Sequence, residues 1–374
     1  MMYKGFFVDD SDRDKGIGGN LSIAGEKGME VEFIKPDLPL VELAEKLLSA
    51  KPDLVALDYR LDEEREKEDA PNRYKAGPLA QYLRDYALDS TESDFPIILV
   101  SHEDKIKKYF EPDLTVHDLF DRHYTKQEIV KEPDRCRREI LSLARGYKQL
   151  IGIWDKPDRL YLLVGLNEDD KAEIDQQPLR ELNALKAPHQ VIRNILRYFI
   201  DRSGILLDFN NLLASLGISP DSENLDKLLS VLNENGITYT GIFGKGWERW
   251  WNYRLHRLGQ ELCSEHLGYL TAEQRVQCLN ENFGLKLIPA KSKWTGRTDA
   301  MFAFACASCR QPTEMEFSVA AYEPLPHPGL IQPKRICWKC IQTGEYQNIH
   351  PRLSVHEDDL LVANKIEHGE IKGE

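Results

Sequence analysis

The chain has 374 residues, 41% hydrophobic and 30% charged, with a formal net charge of −13. This composition suits roughly two or three globular domains and excludes a mainly disordered chain. A negative balance also argues against general affinity for nucleic acid, whose binding rests on phosphate neutralisation. The charge is uneven: residues 1–150 hold 24 Lys+Arg against 32 Asp+Glu, and residues 243–340 hold 13 against 9. Only the later stretch could carry a basic patch. No apolar run reaches the ~18 residues of a membrane span, and MMYKGFFVDD turns acidic too soon for a secretory signal. A cytoplasmic protein without membrane contact is expected.

The first 130 residues alternate strand-like and helix-like runs. Lys4–Val8, Met29–Ile34, Leu54–Leu57 and Phe95–Val100 read as strands, and Leu119–Tyr124 could supply a last one. Between them, Pro39–Ser49 places Leu40, Leu43, Ala44, Leu47 and Leu48 on one helical face, and Pro78–Tyr86 also reads as helix. Apolar strands alternating with helices predict an α/β fold, a doubly wound parallel sheet covered on both faces. An exit helix over about 132–150 follows. Ile151–Trp154 and Leu160–Val164 read as two strands around a turn. Helices are expected over His189–Asp201, Asn210–Leu216 and Ser222–Asn235, then a strand or wing at Gly236–Phe243. The charged tail from Glu357 is expected to fray.

Polar residues fall at the carboxyl ends of the strand candidates: Asp9 and Asp10, Asp58, Ser101, then Lys126. Open parallel sheets form ligand sites at that edge. Three carboxylates converging there need a cation, and a lysine with a hard divalent ion such as Mg²⁺ would serve. The motifs FFVDD, LVALDYRLD, ILVSHED and HYTKQ make this region resemble the receiver domain of two-component response regulators. The resemblance implies a flavodoxin-like sheet, Asp58 as phosphoryl acceptor and Asp9, Asp10 and Asp58 as Mg²⁺ ligands. It also implies Ser101 on a phosphoryl oxygen and Lys126 paired with the phosphate. The sequence departs from the family at Gln127, where proline is usual, at His123, and at Gly16, Gly18 and Gly19. The acidic run after Asp58 is also longer than the family's turn.

Of seven cysteines, Cys136, Cys263 and Cys278 are scattered, while Cys306/Cys309 and Cys337/Cys340 form two C-x-x-C pairs. Four thiolates so paired suit tetrahedral, structural Zn²⁺ with no open position. With the alternating MEFSVAAY segment between them, the region looks like a zinc ribbon. A nuclease built on such knuckles is disfavoured: no Asp-His pair follows the first, and His327 sits in a turn-like PLPHPG context.

The helical rhythm of 188–243 resembles a winged helix in pattern only. Its third helix, Ser222–Asn235, is expected to bury Leu225, Leu228, Leu229 and Leu232 and to present three acids and one base outward, which suits protein contact better than DNA. In GWERWWNYRLHRL, Trp247, Trp251, Leu255 and Leu258 share one helical face. Trp250, Arg254 and Arg257 recur on another, a possible interaction face, since Trp and Arg dominate binding hot spots. A Trp covered by arginine stems at a junction is the simpler alternative.

The expected domains are 1–150, receiver-like with its exit helix; 151–260, a mainly helical, winged-helix-like middle; 261–350, a small β-rich zinc-ribbon domain; and 351–374, an acidic tail. The leading expectation is a response-regulator-like signalling protein, phosphorylated by a histidine kinase, that switches the contacts of its helical and zinc-binding output. No enzymatic activity beyond the receiver's own phosphoryl chemistry is expected. The rivals are a non-phosphorylated docking subunit of a larger prokaryotic assembly and a nucleic-acid-binding effector using residues 243–340.

Overall fold

A computed structural model describes residues 2–63, 73–323 and 331–371. Residues 64–72 of the long acidic run after Asp58 and the PLPHPG segment with His327 lie outside the described residues. The chain divides into two compact units. The first comprises Met1–Asn167, Leu179–Arg197 and Thr240–Trp247; the second comprises Glu168–Pro178, Tyr198–Tyr239 and Glu248–Glu374.

The first unit is built on five parallel strands: β1 (Tyr3–Val8), β2 (Met29–Ile34), β3 (Leu54–Leu57), β4 (Ile97–Ser101) and β5 (Arg122–Thr125). Their order is β2-β1-β3-β4-β5, all pairs parallel. That order is the flavodoxin-like one, consistent with a receiver fold. Burial explains the sequence patterns. Every residue of the inner strands β3 and β4 is buried, so both read as unbroken apolar runs, whereas the edge strand β2 alternates.

The intervening helices are α1 (Lys15–Leu21), α2 (Leu40–Ser49), α3 (Ala76–Asp89), α4 (Glu103–Lys105), α5 (Leu114–His117) and α6 (Lys126–Lys131). Leu43 and Leu47 of α2 and Leu79 and Leu83 of α3 pack with Phe6, Val8, Leu57 and Leu99 in one core. The exit helix α7 (Pro133–Gly152) is 20 residues long and buries Cys136, Ile140, Leu143, Tyr147 and Leu150.

The two strands expected after it do not form. Helix α7 runs on through Gly152, and Arg159–Val164 is a further helix, α8, ended by Gly165 at φ 72°. Leu160, Leu163 and Val164 are its buried residues, a 3.6-residue spacing that a short apolar run hides.

A buried charge network fastens this unit. Arg84 on α3 contacts Asp94 at 2.9 Å and Asp121 at 2.8 Å, and donates to the carbonyls of Phe95 and Leu119. Asp94 also accepts the backbone N–H of His189 and lies 2.8 Å from its Nδ1. Asp121 accepts Tyr147 Oη–H and the N–H of Ile97. The network joins α3, β4, α7 and the helix Pro188–Ile195.

In the second unit, helices Phe209–Leu216, Leu225–Glu234, Asn252–Cys263 and Ala272–Phe283 enclose Leu212, Leu216, Leu228, Leu232, Trp250 and Leu255. Two residues each from β6 (Leu206–Leu207) and β7 (Trp250–Trp251) pair antiparallel. Gly236–Phe243 forms no strand; Thr238 alone bridges Trp250. Cys263 and Cys278 form a disulfide between the last two helices, with Cα atoms 5.8 Å apart. Their spacing in the sequence is no sign of it, because the pair meets only once the two helices pack.

The C-terminal part holds two small antiparallel pairs, β8 (Phe302–Ala305) with β9 (Pro312–Glu314) and β10 (Ser318–Ala320) with β11 (Arg335–Cys337). The tail does not fray throughout. Leu360–Glu367 is a helix whose Ala363 and Ile366, one turn apart, join the core of Ile336, Ile341 and Tyr346.

Candidate phosphoryl pocket and metal centre

The carboxyl ends of β1, β3, β4 and β5 place their following residues at one edge of the sheet. Asp9 and Asp10 leave β1, Asp58 leaves β3, Ser101 ends β4 and Lys126 opens α6. All five are buried. Local chemistry fixes Lys126 there: Thr125 caps α6 in a reciprocal capping box with Glu128, so the lysine becomes the first helical residue.

The Lys126 ammonium lies 2.6 Å from Asp9 Oδ2, 2.7 Å from Asp14 Oδ2 and 3.0 Å from Asp58 Oδ1. Ser101 Oγ–H donates to Asp58 Oδ1 at 2.9 Å, and the N–H of Arg60 donates to Asp58 Oδ2 at 2.9 Å. A second ammonium, Lys105 on α4, lies 3.9 Å from Asp58 Oδ2 and is held by Glu63 at 2.7 Å. Sequence reading missed Asp14 and Lys105. Asp14 ends the short 3-10 helix Asp12–Asp14 that leads into α1, and Lys105 ends α4, four residues beyond Ser101, where pattern alone does not distinguish a site residue from a solvated one.

Negative charge is in excess in this pocket. Burial, then the charge of Asp58, pushes the Asp9 carboxyl up to about 7 against the opposing pull of Lys126. Burial works against the Lys126 ammonium, but Asp58 and Asp9 outweigh it and hold its pKa above the ordinary lysine value. Asp9, Asp10 and Asp58 offer the hard oxygens that Mg²⁺ prefers, although as placed these three do not gather as closely as the ligands of one metal ion. The Lys126 ammonium, paired with three carboxylates at once, offsets only part of that negative charge.

Among the described residues, the one group of three or more Cys, His, Asp or Glu side chains gathered closely enough to hold a metal is Cys306, Cys309, Cys337 and Cys340. Their Sγ atoms all lie within 4.8 Å of one another, with Cys306–Cys340 at 4.0 Å and Cys309–Cys337 at 3.9 Å. Tetrahedral zinc with Zn–S of about 2.3 Å has S···S edges of about 3.8 Å, so these four cysteines could hold a metal such as zinc. Cys306 Sγ accepts the N–H groups of Ser308 and Cys337, as a thiolate ligand would. Trp338 stacks edge-on against Trp294 and Phe317 beside the cluster.

Trp250, Arg254 and Arg257 do not form one exposed face. The helix begins only at Asn252, and Trp250 lies in β7, 3% exposed within the apolar core. Arg254 pairs with Asp170 at 2.7 Å and donates to the Gly236 carbonyl, while Arg257 pairs with Glu173 at 3.0 Å. Both arginines are thus engaged by the segment Glu168–Pro178 of their own unit.

No protein-family model and no curated protein matches this chain. Among solved structures, NtrX from Brucella abortus is similar over 40% of this chain and 30% of that one, at 15% identity and a TM-score of 0.27. The same protein in complex with ADP gives 14% identity and the same coverage and TM-score. A TM-score this low does not define a common fold, whereas the strand order and the residues gathered at the sheet edge are features of this chain itself. No helix among the described residues is long and apolar enough to cross a membrane.

Proposed function

We propose that the chain is a response-regulator-like signalling protein whose Asp58 accepts a phosphoryl group. The observation that carries this reading is the convergence of Asp58, Ser101, Lys126 and Asp9 at the carboxyl edge of one parallel sheet. An Asp58 carboxylate oxygen would attack phosphorus in line. A new O–P bond forms as the bond from phosphorus to the donor breaks, and the donor leaves with that electron pair. Lys126 would then pair with a phosphoryl oxygen in place of Asp58 Oδ1, and Ser101 would turn its hydroxyl from the carboxylate to the phosphoryl group. Asp9, Asp10 and Asp58 would hold Mg²⁺, which when bound neutralises charge on the transferring oxygens. A histidine kinase is the proposed donor, and the helical and zinc-ribbon residues after 150 the proposed output.

A second reading, a docking subunit that is never phosphorylated, has one observation in its favour. Lys126 already pairs with Asp9, Asp14 and Asp58. Intact-mass measurement after treatment with acetyl phosphate and Mg²⁺ separates the two readings. One phosphoryl increment is expected on wild type and none on Asp58→Asn, which keeps the volume of the side chain but loses the nucleophile. An unmodified wild-type chain favours the docking reading, and an increment that survives in Asp58→Asn overturns the assignment of the acceptor.

A further inference from the structure

The first unit contains a cavity of about 600 Å³ between α7, α8 and the loop Thr240–Lys245. Four cationic side chains line it, Arg145, Lys148, Lys156 and Lys245, and no Asp or Glu does. In a chain of net charge −13 this is a local reversal of sign. Lys148 is partly neutralised by Asp53, 2.6 Å away, and Arg145 donates to the Lys27 carbonyl at 3.3 Å. Among the described ion pairs none neutralises Lys156 or Lys245.

The loop is seated firmly. It reads TGIFGKGW, with Phe243 at φ 69° and tight turns closed by Gly244 N–H to Gly241 O and Gly246 N–H to Phe243 O. A side chain at Gly246 would meet Ser142 Cβ at 2.8 Å, and one at Gly146 would meet the Phe243 ring at 2.3 Å. These two glycines let the loop lie directly on α7, so Lys245 stands over the same cavity as Arg145 and Lys148. The opposite wall is apolar: Leu163 is buried, and Leu162 is 49% exposed although it lines the cavity.

We infer that this cavity is a binding site for an organic phosphate, its charged end among Lys156, Lys245 and Arg145 and its apolar part on Leu162. Clustered cations repel one another, and a ligand with at least two negative charges relieves that repulsion through charge-assisted hydrogen bonds. The exposed leucine beside them favours a ligand with an apolar or aromatic portion over a bare ion. This site is separate from the Asp58 pocket and does not depend on the reading proposed for it.

The test is calorimetric titration of the full chain with two probes, inorganic pyrophosphate and ATP, without Mg²⁺. Saturable binding of both is expected, ATP the tighter. Lys156→Ala and Lys245→Ala should each weaken it about tenfold, the effect of losing roughly one charge-assisted contact. Both lysines are exposed, so these variants should fold, and Lys245→Arg should restore most of the affinity. Leu162→Ser should weaken ATP and leave pyrophosphate unchanged. Absence of saturable binding by either probe overturns the site, as does binding that ignores both lysine substitutions. Equal loss of both probes in Leu162→Ser removes the apolar part of the assignment.

Discussion

Replacing Cys337 with serine is expected to release zinc and unfold the region from β8 to β11 while the five-stranded sheet stays intact. Cys337 ends β11 and opens the helix Trp338–Thr343, so one substitution removes a ligand and loosens two elements at once. The small pairs β8–β9 and β10–β11 have only three ladder positions each and could not stand alone in water. Zinc contributes about 10–16 kcal/mol of apparent binding free energy in small peptides, far more than these short ladders can replace. Metal analysis and limited proteolysis of the full chain check this. Loss of zinc with new cleavage confined to 290–371 is the expected outcome; an unchanged digest with metal retained would contradict it.

The second large effect is expected at Arg84. Its guanidinium is 4% exposed and serves two carboxylates and two carbonyls. Replacing it with methionine preserves much of the volume but leaves Asp94 and Asp121 buried without their shared cation. Breaking a buried pair in this way costs about 3–5 kcal/mol. Hydrogen exchange in β4 and β5 of the full chain should accelerate accordingly. The double variant Arg84→Met, Asp121→Asn should recover part of the loss, since it removes one of the orphaned charges. If exchange in these strands is unaffected, the network is not what fastens α3 to the sheet.

The part of the molecule legible in sequence was the part governed by local periodicity and motif order. Inner strands such as LVAL and PIILV are buried on both faces, so their continuous apolar character announces them. Asp9, Asp58, Ser101 and Lys126 could be placed because each directly follows or ends a strand, and a parallel sheet brings those ends together. The cysteine pairs are legible because C-x-x-C is the spacing that ligands of one tetrahedral metal adopt.

Elsewhere the information was tertiary. Leu160–Val164 is too short for its period to separate strand from helix, so α8 is not legible there. The pattern from Trp247 to Leu258 is continuous and puts Trp250 on a helical face, yet β6 captures Trp250 and Trp251 into a ladder and the helix starts after them. Asp14 and Lys105 reach the pocket from turns of the chain that no motif marks. The Cys263–Cys278 disulfide and the basic cavity over α7 likewise arise only from elements distant in sequence.

The buried acids around Asp58 are either a working phosphoryl site, as proposed, or a set of salt bridges. Calorimetric titration of the full chain with Mg²⁺ and then with beryllofluoride decides between the two. A phosphoryl site requires Mg²⁺ binding at millimolar concentration, on the order of 4 kcal/mol. It also requires beryllofluoride binding that depends on Mg²⁺ and is lost in Asp58→Asn, and both results are expected. A wild-type chain that binds neither would contradict the proposal and leave Lys126 as the permanent counter-ion of Asp9, Asp14 and Asp58.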